Sequence, residues 1–118
     1  MDMMFDTGSA QTWVYTKEGC SKNGGSCPNV GKYSLDKSTT DKRPDPTQQI
    51  QLKFSNAGFV NGTVVTDKFC LNPDKSTSCI PQLTFLGADY SSNMNQYDAS
   101  GFIGLAPNSN INQLPAFI

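Results

Sequence analysis

Apolar and polar residues alternate over short runs along this chain, which is the pattern of β-strands joined by turns. The clearest element is a hairpin: residues 50–54 alternate, residues 55–58 form a turn, and residues 59–71 return as a β-rich run. Further short strands are predicted at residues 3–5, 12–15, 83–86 and 102–105. The pattern therefore predicts an all-β fold.

The connections between these strands are polar. Residues 37–49 contain Pro44 and Pro46 and are predicted to form an exposed connection, and a polar loop is predicted from residue 87 through Tyr97. Near the end of the chain, Pro115 suits the first turn of a helix. At 118 residues the chain is long enough for one domain with a modest core.

Composition excludes several classes of function. The chain has no histidine, which removes Ser-His and Cys-His nucleophile pairs and most zinc sites, so we predict no metal and no cofactor. A net charge of −1 gives no basic surface for nucleic acid. The longest apolar run, residues 102–106, is far below the ~20 residues that span a bilayer, so we predict no membrane-spanning segment.

The four cysteines form two local pairs, Cys20 with Cys27 and Cys70 with Cys79. Paired zinc ligands are usually closer together, and both enclosed segments are rich in turn-forming residues, so we expect two hairpin-closing disulfides rather than free thiols. Disulfides indicate an oxidising compartment: secretion, or a lysosomal or vacuolar lumen. Asn61 begins an Asn-Gly-Thr sequon and is a candidate glycosylation site on that route.

The candidate chemistry lies in residues 3–14, where an apolar strand leads into Asp6, Thr7, Gly8 and Ser9. Hydroxyl and backbone donors around a carboxylate hold its orientation and favour its charged form. Taken alone, the same residues also fit a β-turn with an Asx-type hydrogen bond.

The wider context resembles a known family. Residues 3–14 resemble the first active-site signature of pepsin-like aspartic proteases, in which an apolar strand leads into Phe-Asp-Thr-Gly-Ser and a Trp-Val pair follows. Four further resemblances follow in the family's order: the Cys20…Cys27 loop, residues 33–40, residues 62–67 and residues 99–106. The resemblance implies a pepsin-like acid protease lobe, an aspartic endopeptidase activity and a peptide or protein substrate.

The resemblance also implies roles for individual residues. Asp6 would be one of two catalytic carboxylates. Thr7 would brace its loop, Gly8 would allow a close backbone approach, and Ser9 would hydrogen-bond Asp6. Trp13 would line the pocket, although ordinary core packing explains a tryptophan equally well. Phe102, Ile103 and Gly104 would pack behind the site.

The 50–71 hairpin would be the flap that covers the substrate, with Phe54, Ser55 and Gly58 at its tip. The family usually has a tyrosine in this flap, and neither Phe54 nor Ser55 supplies a phenol. A plain hairpin turn is the alternative.

The chain contains no second Asp-Thr-Gly or Asp-Ser-Gly. One carboxylate cannot be both acid and base, so residues 1–118 are expected to be part of an N-terminal lobe that lacks its first strands and the C-terminal lobe. We expect the isolated chain to be inactive. The alternatives are a catalytically dead binding protein on the same fold and, less favoured, a retroviral-type homodimeric protease.

Overall fold

The computed structural model describes residues 2–8, 10–22, 27–35, 37–42, 49–54, 57–70, 77, 79–94 and 99–106. Within these ranges the chain forms six strands and one short helix. In chain order they are β1 (Met3–Asp6), β2 (Trp13–Tyr15), α1 (Lys17–Lys22), β3 (Ile50–Lys53), β4 (Phe59–Cys70), β5 (Cys79–Ser92) and β6 (Gly101–Gly104). The mainly-β prediction is confirmed.

The strands form one sheet in the order β1-β6-β2-β5-β4-β3. The last strand, β6, lies between the first two, parallel to β1 and antiparallel to β2. Residues 7–12 therefore connect two strands that flank β6, and they pass over the end of β6 where Gly104 lies. This topology places the turn after Asp6 against the glycine that closes the last strand.

The two faces of the sheet carry separate apolar clusters because side chains alternate along a strand. Trp13, Tyr15, Leu86 and Phe102 belong to one cluster, together with the partly buried Phe54. The second cluster includes Val14, Val65, Leu83 and Phe85. We call the first of these the Trp13 face and the second the Val14 face.

The predicted hairpin is confirmed: β3 and β4 pair antiparallel, from Ile50 opposite Gly62 to Lys53 opposite Phe59. The prediction for residues 83–92 was partly wrong. The strand begins at Cys79 and continues to Ser92, so the residues predicted to begin a polar loop remain in the sheet. The long strand β4 pairs with β5 as far as Ser92, so its backbone hydrogen bonds keep these residues in the sheet although several of their side chains are polar.

Both predicted disulfide pairings are confirmed, Cys20 with Cys27 and Cys70 with Cys79. The second one closes a hairpin, since Cys70 and Cys79 lie opposite each other in β4 and β5. The first one does not, because Cys20 lies in α1. Thr16 caps this unpredicted helix: its hydroxyl accepts a hydrogen bond from Gly19 N at 3.2 Å, and its carbonyl accepts one from Cys20 N at 3.0 Å.

The polar connection predicted at residues 37–49 is described only in part, and Lys42 forms a bridge to Thr66 of β4 there. The helix turn predicted at Pro115 lies outside the described residues.

Candidate active site

Asp6 is the last residue of β1 and lies opposite Gly104 of β6. Its carbonyl oxygen accepts a hydrogen bond from Leu105 N at 2.9 Å. Its carboxylate oxygen Oδ1 accepts one from Gly8 N, also at 2.9 Å. A backbone donor in the following turn thus orients a half-buried carboxylate at the end of a paired strand.

The glycine that makes the closest approach in this region is Gly104 rather than Gly8. A Cβ on Gly104 would lie 2.6 Å from the Gln11 carbonyl oxygen and 2.7 Å from the Ala10 carbonyl carbon. Added to Gly8, it would meet Asp6 Oδ1 at an ordinary 3.4 Å and no other described atom within 4 Å beyond its chain neighbours. The close approach at Gly8 stays a prediction, and the observed contribution of Gly8 is its N–H group.

The end of β6 is held to the loop before β2 by a hydrogen bond as well. Gly104 N donates to the hydroxyl of Thr12 at 3.3 Å, and Thr12 is buried. The carbonyl of Thr12 accepts from Leu86 N of β5 at 3.0 Å. Thr12 therefore fixes the loop that follows Asp6 to two neighbouring strands.

An aromatic cluster lies on the Trp13 face. Trp13 is 1% exposed, and its ring stacks on Phe102 with centroids 5.1 Å apart and meets Tyr15 edge-on at 5.0 Å. Phe54 completes the group, 6.2 Å from Trp13 and 5.8 Å from Phe102. By strand alternation, Asp6 shares this face, because Met4 pairs with Phe102 and lies two residues before Asp6 in β1.

Two polar atoms in this cluster have no hydrogen-bond partner among the described residues, the indole Nε1 of Trp13 and the hydroxyl of Tyr15. Burial raises the pKa of Tyr15, and the Ser91 hydroxyl nearby offsets part of that rise. The Ser91 hydroxyl is itself buried without a hydrogen bond of ordinary geometry to a described residue. The Trp13 face is thus apolar with a few unsatisfied polar groups.

The candidate flap is closed by backbone hydrogen bonds. Phe54 N donates to the Gly58 carbonyl at 2.9 Å, and Ala57 N donates to the Phe54 carbonyl at 3.2 Å. Ala57 has a φ of 66°, which is a left-handed turn conformation. The structure brings Phe54, at the base of this turn, into contact with the Trp13 ring.

Other predicted site residues are less informative. Ser9 and Ser55 lie outside the described residues, and Thr7 is exposed. Phe102 and Ile103 are buried in β6, and their role behind the site stays a prediction. Asn61 lies half-buried in β4, and its Oδ1 has no partner in the described part of the chain. Glycosylation of Asn61 stays a prediction, and this position weighs against it.

A groove of about 720 Å³ lies on the Val14 face, away from Asp6. Among its lining residues are Phe5, Val14, Phe69, Phe85 and Ile103. The candidate chemistry lies at Asp6 because, among the described residues that line the groove, the only carboxylate is that of the exposed Asp2. Across the described ranges, no group of three or more acidic, cysteine or histidine side chains could hold a metal ion.

Sequence reasoning missed Thr12, Tyr15 and Gly101 as residues that support the site. A Cβ on Gly101 would clash with the backbone of Trp13 and Val14, so this glycine sets the closeness of β6 and β2. The glycine spacing in residues 101–104 was a usable signal, whereas nothing in the sequence shows which backbone a glycine approaches.

The chain belongs to the eukaryotic aspartyl protease family, whose family model matches residues 1–117. The activity of this family is aspartic-type proteolysis, and its substrates are peptides. In the part of the chain that is described, no helix is long and apolar enough to cross a membrane.

Proposed function

We propose that this chain supplies one of the two catalytic carboxylates of an aspartic endopeptidase, and that the carboxylate is Asp6. The observation that carries this is the hydrogen bond from Gly8 N to Asp6 Oδ1 at the end of β1, beside the tightly packed Gly104. A carboxylate held in this way has a fixed direction.

The reaction needs two carboxylates with one proton between them, an arrangement for which aspartic proteases are the standard example. The ionised carboxylate takes a proton from water, which attacks the scissile carbonyl carbon. The protonated carboxyl donates to the carbonyl oxygen, and collapse of the tetrahedral intermediate then transfers a proton to the leaving amine. Asp6 fills one of these positions in either protonation state.

The second carboxylate would come from outside residues 1–118 of one chain, because this sequence contains one Asp-Thr-Gly and no Asp-Ser-Gly. A C-terminal lobe of the same polypeptide is the favoured source, and residues 1–118 would then form part of the N-terminal lobe. The alternative source is a second copy of this chain, as in retroviral-type proteases. The Trp13-Val14 pair and the Cys20…Cys27 loop resemble the two-lobe pepsin-like pattern rather than the retroviral-type one, and this favours the first source.

Substrate would lie on the Trp13 face, between Asp6 and the 54–58 turn. Phe54, which is partly buried, would present apolar surface to it, and the buried Trp13 would support Phe54 from behind. Thr7 and Ser9 would hold the loop around the carboxylate. The two disulfides support a secreted protein or one of a lysosomal or vacuolar lumen, since such bonds persist in oxidising compartments.

The experiment is an acid proteolysis assay on the polypeptide that carries this lobe together with the second Asp-(Thr/Ser)-Gly. Replacing Asp6→Asn is expected to lower kcat by about 10²–10⁴-fold, the usual contribution of a positioned acid or base. The matched control is Asp2→Asn, which removes an exposed carboxylate four residues earlier and should leave kcat unchanged. Equal activity of both variants would refute the assignment of Asp6.

The same assay on the 118-residue chain alone should show no cleavage. Strand β1 is at the edge of the sheet, and Phe5 on it is 57% exposed, so we also expect the isolated chain to be less stable than the same lobe within a two-lobe protein. Activity that rises with the square of chain concentration and is abolished by Asp6→Asn would favour the homodimer instead.

A catalytically dead binding protein is the second candidate. The observation in its favour is the flap, where Phe54 lacks a hydroxyl and Trp13 Nε1 has no partner among the described residues. This candidate would be supported if the two-lobe protein bound peptides without cutting them and Asp6→Asn left that binding unchanged.

A further inference from the structure

A second aspartate, Asp67, is buried away from Asp6 and accepts four hydrogen bonds. Its side chain is 5% exposed. The hydroxyls of Tyr33 and Ser38 donate to Oδ2, the latter at 2.7 Å. The hydroxyl of Thr40 and the backbone N–H of Lys68 donate to Oδ1, the latter at 2.7 Å. Both carboxylate oxygens are therefore fully engaged.

Three of these donors come from one stretch of chain, residues 33–35 and 37–42, which we call the bridging segment. Its two ends are also attached by the backbone. At the start, Tyr33 N donates to the Tyr15 carbonyl and Lys17 N to the Tyr33 carbonyl, both at 2.9 Å. At the end, Lys42 N donates to the Thr66 carbonyl at 2.6 Å. The segment thus runs from β2 to β4, and Asp67 is the side chain that holds its middle.

The bridging segment covers part of the core. Tyr33 and Leu35 pack against the cluster of Val14, Val65 and Phe85, and the Tyr33 ring meets Phe85 edge-on at 5.6 Å. Release of the segment would expose this apolar surface to water. By holding the segment in place, the hydrogen bonds of Asp67 keep the apolar surface beneath Tyr33 and Leu35 buried.

We propose that the ionised carboxylate of Asp67 holds the bridging segment on the sheet through its four hydrogen bonds. In this way Asp67 sets the lowest pH at which the domain stays folded. The proposal concerns the folding of this chain and does not rest on peptidase activity.

The protonation behaviour of Asp67 supports the proposal. Burial alone raises the pKa of Asp67, but the donors from Ser38, Thr40, Tyr33 and Lys68 N outweigh it, and the pKa is lowered overall. A protonated carboxyl could not accept all four hydrogen bonds, because one oxygen would carry a proton of its own. We therefore expect Asp67 to be protonated, and its hydrogen bonds to be lost, only when the pH falls below the usual titration range of an aspartate.

The pH effect is assigned to Asp67 after considering the other titratable and charged groups near it. Among the described residues, the titratable and charged side chains around it are Tyr33 and Asp41 of the bridging segment, Lys42 at the bridge to Thr66, and Lys68, which follows in β4. The residues of β5 that face this part of β4, Leu83 and Thr84, carry no charge. Tyr33 is neutral across the acid range, since burial and the hydrogen bond to Asp67 raise its pKa.

The sign of the pH effect follows from the lowered pKa. The contribution of Asp67 to the free energy of unfolding is fully present above the unfolded pKa of about 3.9. It is lost as the pH falls through the lower pKa of the folded state. A substitution that removes the Asp67 carboxylate should therefore lower the free energy of unfolding at pH 5 and have no effect on it in strong acid.

The test measures urea unfolding of the oxidised chain, followed by the fluorescence of its single tryptophan, from pH 5 to strong acid. Asp67→Asn should raise the unfolding equilibrium constant at least about tenfold at pH 5, because bonds to a charged acceptor are lost. The difference from the unmodified chain should disappear in strong acid. Asp2→Asn, which removes an exposed carboxylate, is the matched control and should follow the unmodified chain throughout.

A second variant keeps the test decisive if Asp67→Asn does not fold. Replacing Ser38→Ala and Thr40→Ala together leaves the carboxylate but removes two donors, so the carboxyl resonance of Asp67 in NMR should titrate at higher pH than in the unmodified chain. Hydrogen exchange at Lys42 N should become faster in this variant, while exchange at Leu86 N, bonded to Thr12 between β2 and β5, should change less. An unchanged titration of Asp67 in this variant would overturn the proposal, as would an Asp67→Asn effect that is the same at every pH.

Discussion

The ring of Phe54 lies 6.2 Å from the ring of Trp13, tilted by 53°, and this contact ties the 54–58 turn to the strand that follows the Asp6 turn. The family that the chain resembles usually has a tyrosine in the flap, whereas the corresponding position here is Phe54 or Ser55, neither of which supplies a phenol. The contact between turn and strand is consequently made by ring packing without a hydroxyl.

We expect Phe54→Ala to lower the free energy of unfolding by about 2 kcal/mol, below the ~3–5 kcal/mol of a fully buried phenylalanine, because Phe54 is only partly buried. Tryptophan emission should shift to the red as water reaches Trp13. The measurement is urea unfolding with fluorescence detection. Phe59→Ala is the control: Phe59 stacks on Tyr90, away from Trp13, so its loss should leave the emission maximum unchanged.

The packing of Gly104 against the Asp6 turn gives a second prediction. Gly104→Ala should destabilise the chain by about 1–3 kcal/mol, because the new methyl group would push against the backbone of Ala10 and Gln11. Thermal unfolding followed by circular dichroism would measure this. Gly8→Ala is the comparison, with an expected cost below about 1 kcal/mol, since its methyl group would meet only Asp6 Oδ1 at 3.4 Å. A larger loss at Gly8 than at Gly104 would contradict this account.

The two disulfides should differ in their effect on stability. Loop entropy alone assigns each about 2.5 kcal/mol. Removing Cys70 and Cys79 should cost about this amount, because the paired strands β4 and β5 remain joined by backbone hydrogen bonds. Replacing Cys20 and Cys27 by alanine should cost about 1 kcal/mol more, since Cys20 is buried in the Trp13 cluster and its loss leaves a cavity. Urea unfolding of the two double variants tests this order.

The tyrosines give a prediction at alkaline pH. Burial raises the pKa of both Tyr15 and Tyr33, and for Tyr33 the hydrogen bond to Asp67 adds to the effect. Their raised pKa values contribute stability that is fully present below the unfolded pKa of about 10 and is lost as the pH rises through the folded values. We therefore expect these two side chains to ionise above pH 10, together with alkaline unfolding.

Tyrosinate absorbance during a pH titration measures this directly. In Tyr33→Phe the late part of the absorbance change should shrink by one chromophore. If Tyr33→Phe instead removes absorbance that develops near pH 10, the buried and hydrogen-bonded state assigned to Tyr33 is wrong.

Local pattern was sufficient for much of the fold. The alternation in residues 50–54 and the β-rich run after residue 58 predicted the β3–β4 hairpin, because a half-buried strand needs a period of two. The extension of β5 through polar residues to Ser92 was not predictable in this way, since it depends on the backbone partners that β4 offers. Helix α1 was missed because Gly19 disfavours a helix, while the cap from Thr16 compensates only in three dimensions.

The sequence by itself determined the mainly-β class, the pairing of the cysteines and the candidate carboxylate at Asp6, because each depends on residue type and short spacing. Only the tertiary structure decided which backbones Gly101 and Gly104 approach, and that Phe54 meets Trp13. It also decided that Asp67 gathers donors from residues 33, 38, 40 and 68. These contacts join residues as far apart in sequence as Ala10 and Gly104. The order of strands in the sheet, which no local pattern encodes, brings them together.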